Sequence, residues 1–175
     1  MKRNFFVIQF LGIMMIHFLS SQSSAIMVGM GTEELTRESK VVIRGEVVEV
    51  EAQWSEDGKT IITRASIIIT DVFKGETSSN MITVEYEGGE VGEMGLRISD
   101  VAPLKTGEEV ILFLKSGKSK IEGDVHKIVG KAQGKYTIGN DEIARKCGFS
   151  VISGEDIIDN NIHVDKLIDK IREVK

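Results

Sequence analysis

One cysteine, one proline and one tryptophan stand in 175 residues. A single thiol, Cys147, excludes an internal disulfide, so a secreted chain of this composition must hold its fold through an apolar core. Cys147 itself is expected to be a small packed side chain; an intermolecular bridge is the competing reading. With Pro103 as the sole proline and no repeat or low-complexity tract, no linker divides the chain. Histidine is also scarce: His17, His126 and His163, with no HExxH run, which excludes a zinc peptidase of that type. Positive charge is outweighed, 22 Lys and Arg against 27 Asp and Glu, a formal balance of −5 with no basic run. A nucleic-acid partner is therefore not expected, because neutralising phosphates requires Lys and Arg.

What is present begins with an address. Lys2 and Arg3 precede an apolar run, Phe5 to Leu19, broken only by Gln9 and His17, and small residues follow at Ser23 and Ala25. That layout predicts a secretory signal peptide over residues 1–25, cleaved after Ala25. The run falls short of the roughly 20 residues a bilayer-spanning helix needs, so no permanent membrane anchor is expected after cleavage. Losing Lys2 and Arg3, and no acidic residue, moves the formal balance from −5 to −7. Residues 26–175 then suit one domain in an extracytoplasmic location, periplasmic or secreted.

Residues 31–39 (GTEELTRES) predict a short helix, with Thr32 as its cap and Glu33 and Glu34 facing the positive end of the dipole. Period-2 patterns follow. In Val41 to Trp54 the apolar positions are first odd (Val41, Ile43, Gly45, Val47) and then even (Val48, Val50, Ala52, Trp54). A parity switch in a continuous strand predicts a β-bulge at Val47–Val48, eased by Gly45. Trp54 is expected in the core. Asp57-Gly58 marks a hairpin turn, and Ile61 to Phe73 returns as a β-branched strand. Met81 to Glu87 alternates, with Ile82, Val84 and Tyr86 inward and Thr83, Glu85 and Glu87 outward, where the carboxylates serve solubility. Glu109 to Leu114 (EVILFL) reads as a strand buried on both faces. Residues 123–130 and 135–138 are shorter strand candidates around a turn at Ala132-Gln133-Gly134. Val164, Leu167, Ile168, Ile171 and Val174 then follow helical spacing, an amphipathic helix over about 163–174 expected to pack on the domain. The predicted fold is mainly β: a small Greek-key, OB-like barrel with a short N-terminal and a C-terminal helix. A β-sandwich is the alternative.

Two family resemblances fit this pattern. SKVVIRGEVVEV (39–50) with IIITDVFKGE (67–76) resembles the netrin-like modules, the OB-fold barrels that include the tissue inhibitors of metalloproteinases. GGEVGEMGLRISDVAPLKTGEEVILFL (88–114) with IVGKAQGKY (128–136) resembles a family of uncharacterised secreted bacterial proteins, some of which occur with matrixin-type metallopeptidases. These resemblances imply an extracytoplasmic module. They imply no inhibitory activity, since the inhibitors chelate zinc with an N-terminal cysteine and the expected N-terminus here is Ile26.

The glycine-rich stretch Glu87 to Ile98 (EGGEVGEMGLRI) is the segment with most to say about function. It follows a strand, as phosphate cradles do, but LRISD after it is no helix start, and its charges are Glu87, Glu90 and Glu93, the wrong sign for phosphate. With Asp100 those carboxylates match no defined calcium loop, and Asp156 to Asp165 lacks the glycine of an EF-hand. Ser150 and Ser153 have no nucleophile-elbow context, and no carboxylate pair marks a glycosidase cleft. No catalytic residue, metal ligand or cofactor is expected. The candidate binding residues are Gly88, Gly89, Glu90, Gly92, Glu93, Gly95 and Arg97, because a glycine loop on a rigid scaffold lets a partner approach the backbone. The expectation is a non-enzymatic module that binds a protein, a metallopeptidase or an envelope component. A small hydrolase using carboxylates and a structural envelope protein acting through the C-terminal helix are the alternatives.

Overall fold

The computed structural model describes residues 27–148, the strand at 151–153, and residues 158–174. The expected signal peptide, Ser150 and part of the acidic stretch before the last helix lie outside the described residues. The chain is mainly β. Its elements in order are β1 (Met27–Val28), α1 (Thr32–Glu38), β2 (Val41–Trp54), β3 (Ile61–Lys74), β4 (Met81–Glu87), β5 (Gly89–Val91), β6 (Met94–Leu96), β7 (Glu109–Lys118), β8 (Asp124–Ile128), a 3-10 turn (Lys131–Gly134), β9 (Lys135–Ile138), β10 (Ile143–Arg145), β11 (Val151–Ser153), β12 (Ile162–His163) and α2 (Val164–Glu173).

Eight strands form one mixed sheet in the order β12-β10-β9-β7-β2-β3-β4-β8, and β8 pairs back onto β7. The pairings β7–β2–β3–β4–β8–β7 thus close a ring of five strands. All are antiparallel except β4–β8, which is parallel and made by the single pair Val84–His126.

The parity switch in β2 is real. The register to β3 shifts between Val47 and Glu49, and again between Arg44 and Gly45. Before it, Val41, Ile43 and Val47 are buried; after it, Val48, Val50 and Ala52 are half-covered while Glu49, Glu51 and Gln53 are exposed. At Gly45 an added Cβ would overlap the Ile68 carbonyl oxygen, so the bend needs glycine there. The bulge has an architectural consequence. β2 pairs with β7 only over Val41–Glu46, yet it stays with β3 to its end at Trp54. The far half of the β2–β3 hairpin therefore runs on past β7 as an arm, edged by β4 along Ile62–Ile68, with Ala65 and Val50 still against the core. Trp54, expected in the core, is 40% exposed, while Ile61 opposite it is buried: one face of the arm's tip is covered and Trp54 lies outside that cover.

β7 explains its own sequence. Val110, Leu112 and Leu114 point into a cluster with Val41, Ile43, Val47, Ile67 and Val84. Ile111 and Phe113, one residue out of phase, point to a second cluster with Leu35, Val42 and Tyr136. A strand buried on both faces has no solvent side to alternate against. Onto the second cluster α2 lays Val164, Leu167 and Ile171. At roughly 1.5–3 kcal/mol per buried aliphatic side chain, this burial holds a helix too short to persist alone. The helix's apolar stripe is thus spent on its own chain.

Four smaller expectations need correction. Gly31, not Thr32, is the N-cap of α1; Thr32 is its first residue and donates instead to Asp159 at 2.6 Å. The turn at 132–134 is a 3-10 helix that starts after Gly130 in the left-handed region. The glycine-rich stretch is not an irregular loop: β5 and β6 make a hairpin. Cys147 is exposed rather than packed, because it follows β10 where the chain turns out to the surface.

Candidate functional site

The β5–β6 hairpin is built by glycines with different duties. Val91 pairs with Met94 across a two-residue turn whose first residue, Gly92, has φ +61°, as a type II′ turn requires. Nothing lies within 4 Å of where a Cβ on Gly92 would sit. Gly89 is the opposite case. Its φ is +131°, and a Cβ there would overlap the Thr63 hydroxyl and lie 2.9 Å from the Ala52 methyl. Gly88 (φ +105°) donates its N–H to the Ile61 carbonyl at 2.9 Å and accepts from the Thr63 hydroxyl at 2.5 Å. The hairpin is therefore docked against the arm that the β2 bulge creates. Gly89→Ala is expected to cost roughly 2–4 kcal/mol in chemical denaturation, against about 1 kcal/mol for Gly92→Ala. Equal costs at the two positions would mean that the hairpin is not held against the arm.

A groove of about 610 Å³ runs along this hairpin. Of the residues singled out in the sequence, Gly88, Gly89, Glu90, Gly95 and Arg97 line it, with Pro103 on the far wall. Gly92 and Glu93 do not; they form the exposed tip. The carboxylates weighed as calcium ligands are not gathered: Glu87 pairs with Lys120 and Asp100 with Lys131. Among the described residues no group of three His, Cys, Asp or Glu side chains is placed to hold a metal ion.

A second groove of about 370 Å³ adjoins the first and shares Glu87, Ile98 and Val101 with it. Its polar wall corrects the sequence reading of Glu85. That carboxylate does not face water: its side chain is fully buried. Oε1 accepts from the Lys127 ammonium at 2.7 Å and the Lys120 N–H at 3.1 Å. Oε2 accepts from the Ser119 hydroxyl and from Arg64 Nε at 3.3 Å. Arg64 also donates to Ser119 at 2.6 Å and to the Glu122 carbonyl. Burial works to raise the carboxyl's pKa, but the bonds from Lys127, Ser119 and the Lys120 N–H outweigh it and hold the group below its ordinary range. Glu85 is thus an ionised post to which the β7–β8 turn is tied. The sequence carried one clue: Arg64 stands directly opposite Glu85 in the β3–β4 register. Without that register the alternation of β4 sent Glu85 outward.

Two further groups were missed. Lys146, between β10 and the surface, is buried, and its Nζ has no hydrogen-bond partner among the described residues. It sits 4.6 Å from the centroid of the Tyr136 ring. Burial brings its pKa down to about 8, against a smaller upward pull from Asp159. The Tyr136 hydroxyl lies 3.3 Å from that of Thr32, which donates to Asp159, and Asp159 also pairs with Lys170 of α2. This network ties α1, β9 and α2 together.

His126 and His163 line neither groove. His126, on β8, is half-buried with its pKa lowered mainly by that burial. His163 caps α2, its Nδ1 accepting from the Asp165 N–H at 3.4 Å. No helix among the described residues is long and apolar enough to cross a membrane. No family model matches the chain, and no curated protein matches it.

Proposed function

We propose that this chain is an extracytoplasmic, non-enzymatic module, an OB-like barrel that binds a protein partner along the β5–β6 hairpin. The observation that carries this reading is the docked hairpin itself. Gly88 and Gly89 fix it to the β2–β3 arm through close backbone contacts, and it walls a groove of about 610 Å³. A rigid hairpin with glycine at its groove face presents backbone to an incoming chain at little ordering cost. The resemblance to secreted bacterial proteins that accompany matrixin-type metallopeptidases makes a metallopeptidase the first partner to test, and an envelope component the second.

The chemistry of the neighbouring groove supports binding over hydrolysis. Each of its carboxylates, Glu85, Glu87 and Asp100, is engaged by a lysine, and His126 is not among the groove's residues. Assembly through the C-terminal helix has less support, since Val164, Leu167 and Ile171 are buried in the core. Affinity capture from the native extracytoplasmic fraction is the test, comparing the mature protein with a variant in which 88–95 is replaced by a short flexible turn. The captured partner is expected to be lost with the hairpin. Capture indifferent to the replacement would remove the role assigned to it.

A further inference from the structure

We infer that the second groove receives an extended, acidic segment of the partner polypeptide. This deepens the partner-binding reading above and rests on it. The argument begins at the seam of the strand ring. β4 and β8 are joined by one pair, Val84–His126; beyond it no further pairing links them among the described residues. The strands' continuing ends, Tyr86 and Glu87 on one side and Lys127 and Ile128 on the other, line the groove instead. The two strands stay side by side there, bridged by Lys127 and Glu85, and a groove walled by two strands admits an extended chain that seats alternate side chains along it.

Charge selects the chain. On a protein whose formal balance is −5, the sequence offers no basic run, yet folding brings Lys118, Lys120, Lys127 and Lys131 to one groove. The carboxylates among them are withdrawn from the surface in different degrees. Glu85 is fully buried and Asp100 is 13% exposed against 60% for Lys131, while Glu87, at 44%, stands beside Lys120 at 51%. Lys118 is exposed and has no ion-pair partner among the described residues. Four lysines thus face three carboxylates, and the surplus positive charge lies at Lys118 and at the exposed ends of Lys120 and Lys131. Beneath them lie Ile98, Val101, Ala102 and Ile128, an apolar floor.

That combination suits carboxylates alternating with apolar side chains. A ligand carboxylate pairs with Lys118 or with the exposed end of Lys120 or Lys131, and an apolar neighbour seats on the floor. It suits a polyphosphate poorly. Three of the four lysines are part-neutralised and the one arginine nearby is committed to Glu85 and Ser119, which leaves too few free cations for a phosphate every residue, and the apolar floor has no counterpart in a polyphosphate.

The test selects a random displayed peptide library against the full chain and measures the selected peptides by fluorescence anisotropy. The peptides are expected to interleave Asp or Glu with apolar residues. Lys118→Gln, Lys120→Gln and Lys131→Gln together should weaken them at least about tenfold. On the unaltered protein, added salt should weaken them progressively, which keeps the test valid whatever the substitutions do to folding. Selected peptides without acidic enrichment, or peptides indifferent to both the lysines and salt, overturn the inference. So does oligo-dT binding abolished by the same substitutions when no acidic peptide is selected. Acidic peptides that still bind the hairpin-replaced variant uphold the groove and sink the hairpin reading. Peptides lost with the hairpin but insensitive to the lysines do the reverse.

Discussion

Glu85→Gln is expected to lower the unfolding free energy by roughly 3 kcal/mol and to loosen the lysine-lined groove. The carboxylate takes four hydrogen bonds, from Lys127, Ser119, Arg64 and the Lys120 N–H. An amide in its place keeps the shape but loses the charge, and its NH2 must face donors on at least one side. Lys127 and Arg64 are only part-buried, so each recovers some hydration, which keeps the loss near the lower end of what breaking a buried ion pair costs. The pH dependence has a definite sign. A carboxyl held below its ordinary value of 4.5 contributes stability that is complete above that value and is lost as pH falls through the folded-state pKa. Wild type should therefore lose more stability than the Gln variant as pH falls below 4.5 and through the folded-state pKa, in denaturant titrations at each pH. Identical acid limbs for the two proteins would mean that Glu85 is not ionised where it is buried.

The contrast between Glu85 and the parity switch in β2 separates what this sequence discloses from what it withholds. A period-2 pattern is a local record of which face is covered, so the bulge at Val47, the doubly buried β7 and the stripe of α2 were readable from spacing alone. Glu85 lies on the outward phase of β4 and is buried by residues far along the chain, the Ser119–Lys120 turn and Arg64. No periodicity encodes that. The lysine groove is only half-hidden: Lys118, Lys120, Lys127 and Lys131 stand close in sequence but interleaved with Glu122 and Asp124, and the β7–β8 turn together with the 3-10 turn after β8 sets them on one groove. The β5–β6 hairpin is an intermediate case. Its two-residue Gly92-Glu93 turn was a hairpin signal, but three-residue strands containing glycine carry too little alternation to stand out against a loop.

Lys146→Met is expected to stabilise the protein, by about 2 kcal/mol near neutral pH. The ammonium is buried without a hydrogen-bond acceptor among the described residues, and its pKa lies near 8 instead of 10.5. Keeping it charged in that place costs roughly 3 kcal/mol at neutral pH. Its position over Tyr136 returns about 1 kcal/mol as a cation–π contact, which methionine, of similar length and volume, gives up. The pH profile identifies the cause. Below about pH 8 the lysine is charged in both states and the full cost applies. Between about 8 and 10.5 the unfolded chain still binds the proton that the folded chain has released, so wild-type stability rises with pH. The difference between the Met variant and wild type should therefore shrink steadily over that interval, and other groups that titrate there cancel in the comparison. Equilibrium unfolding of the two proteins across that range decides the matter. A Met variant less stable than wild type at neutral pH would show that the Lys146 amine is satisfied in the folded protein and holds α1, β9 and α2 together instead of straining them.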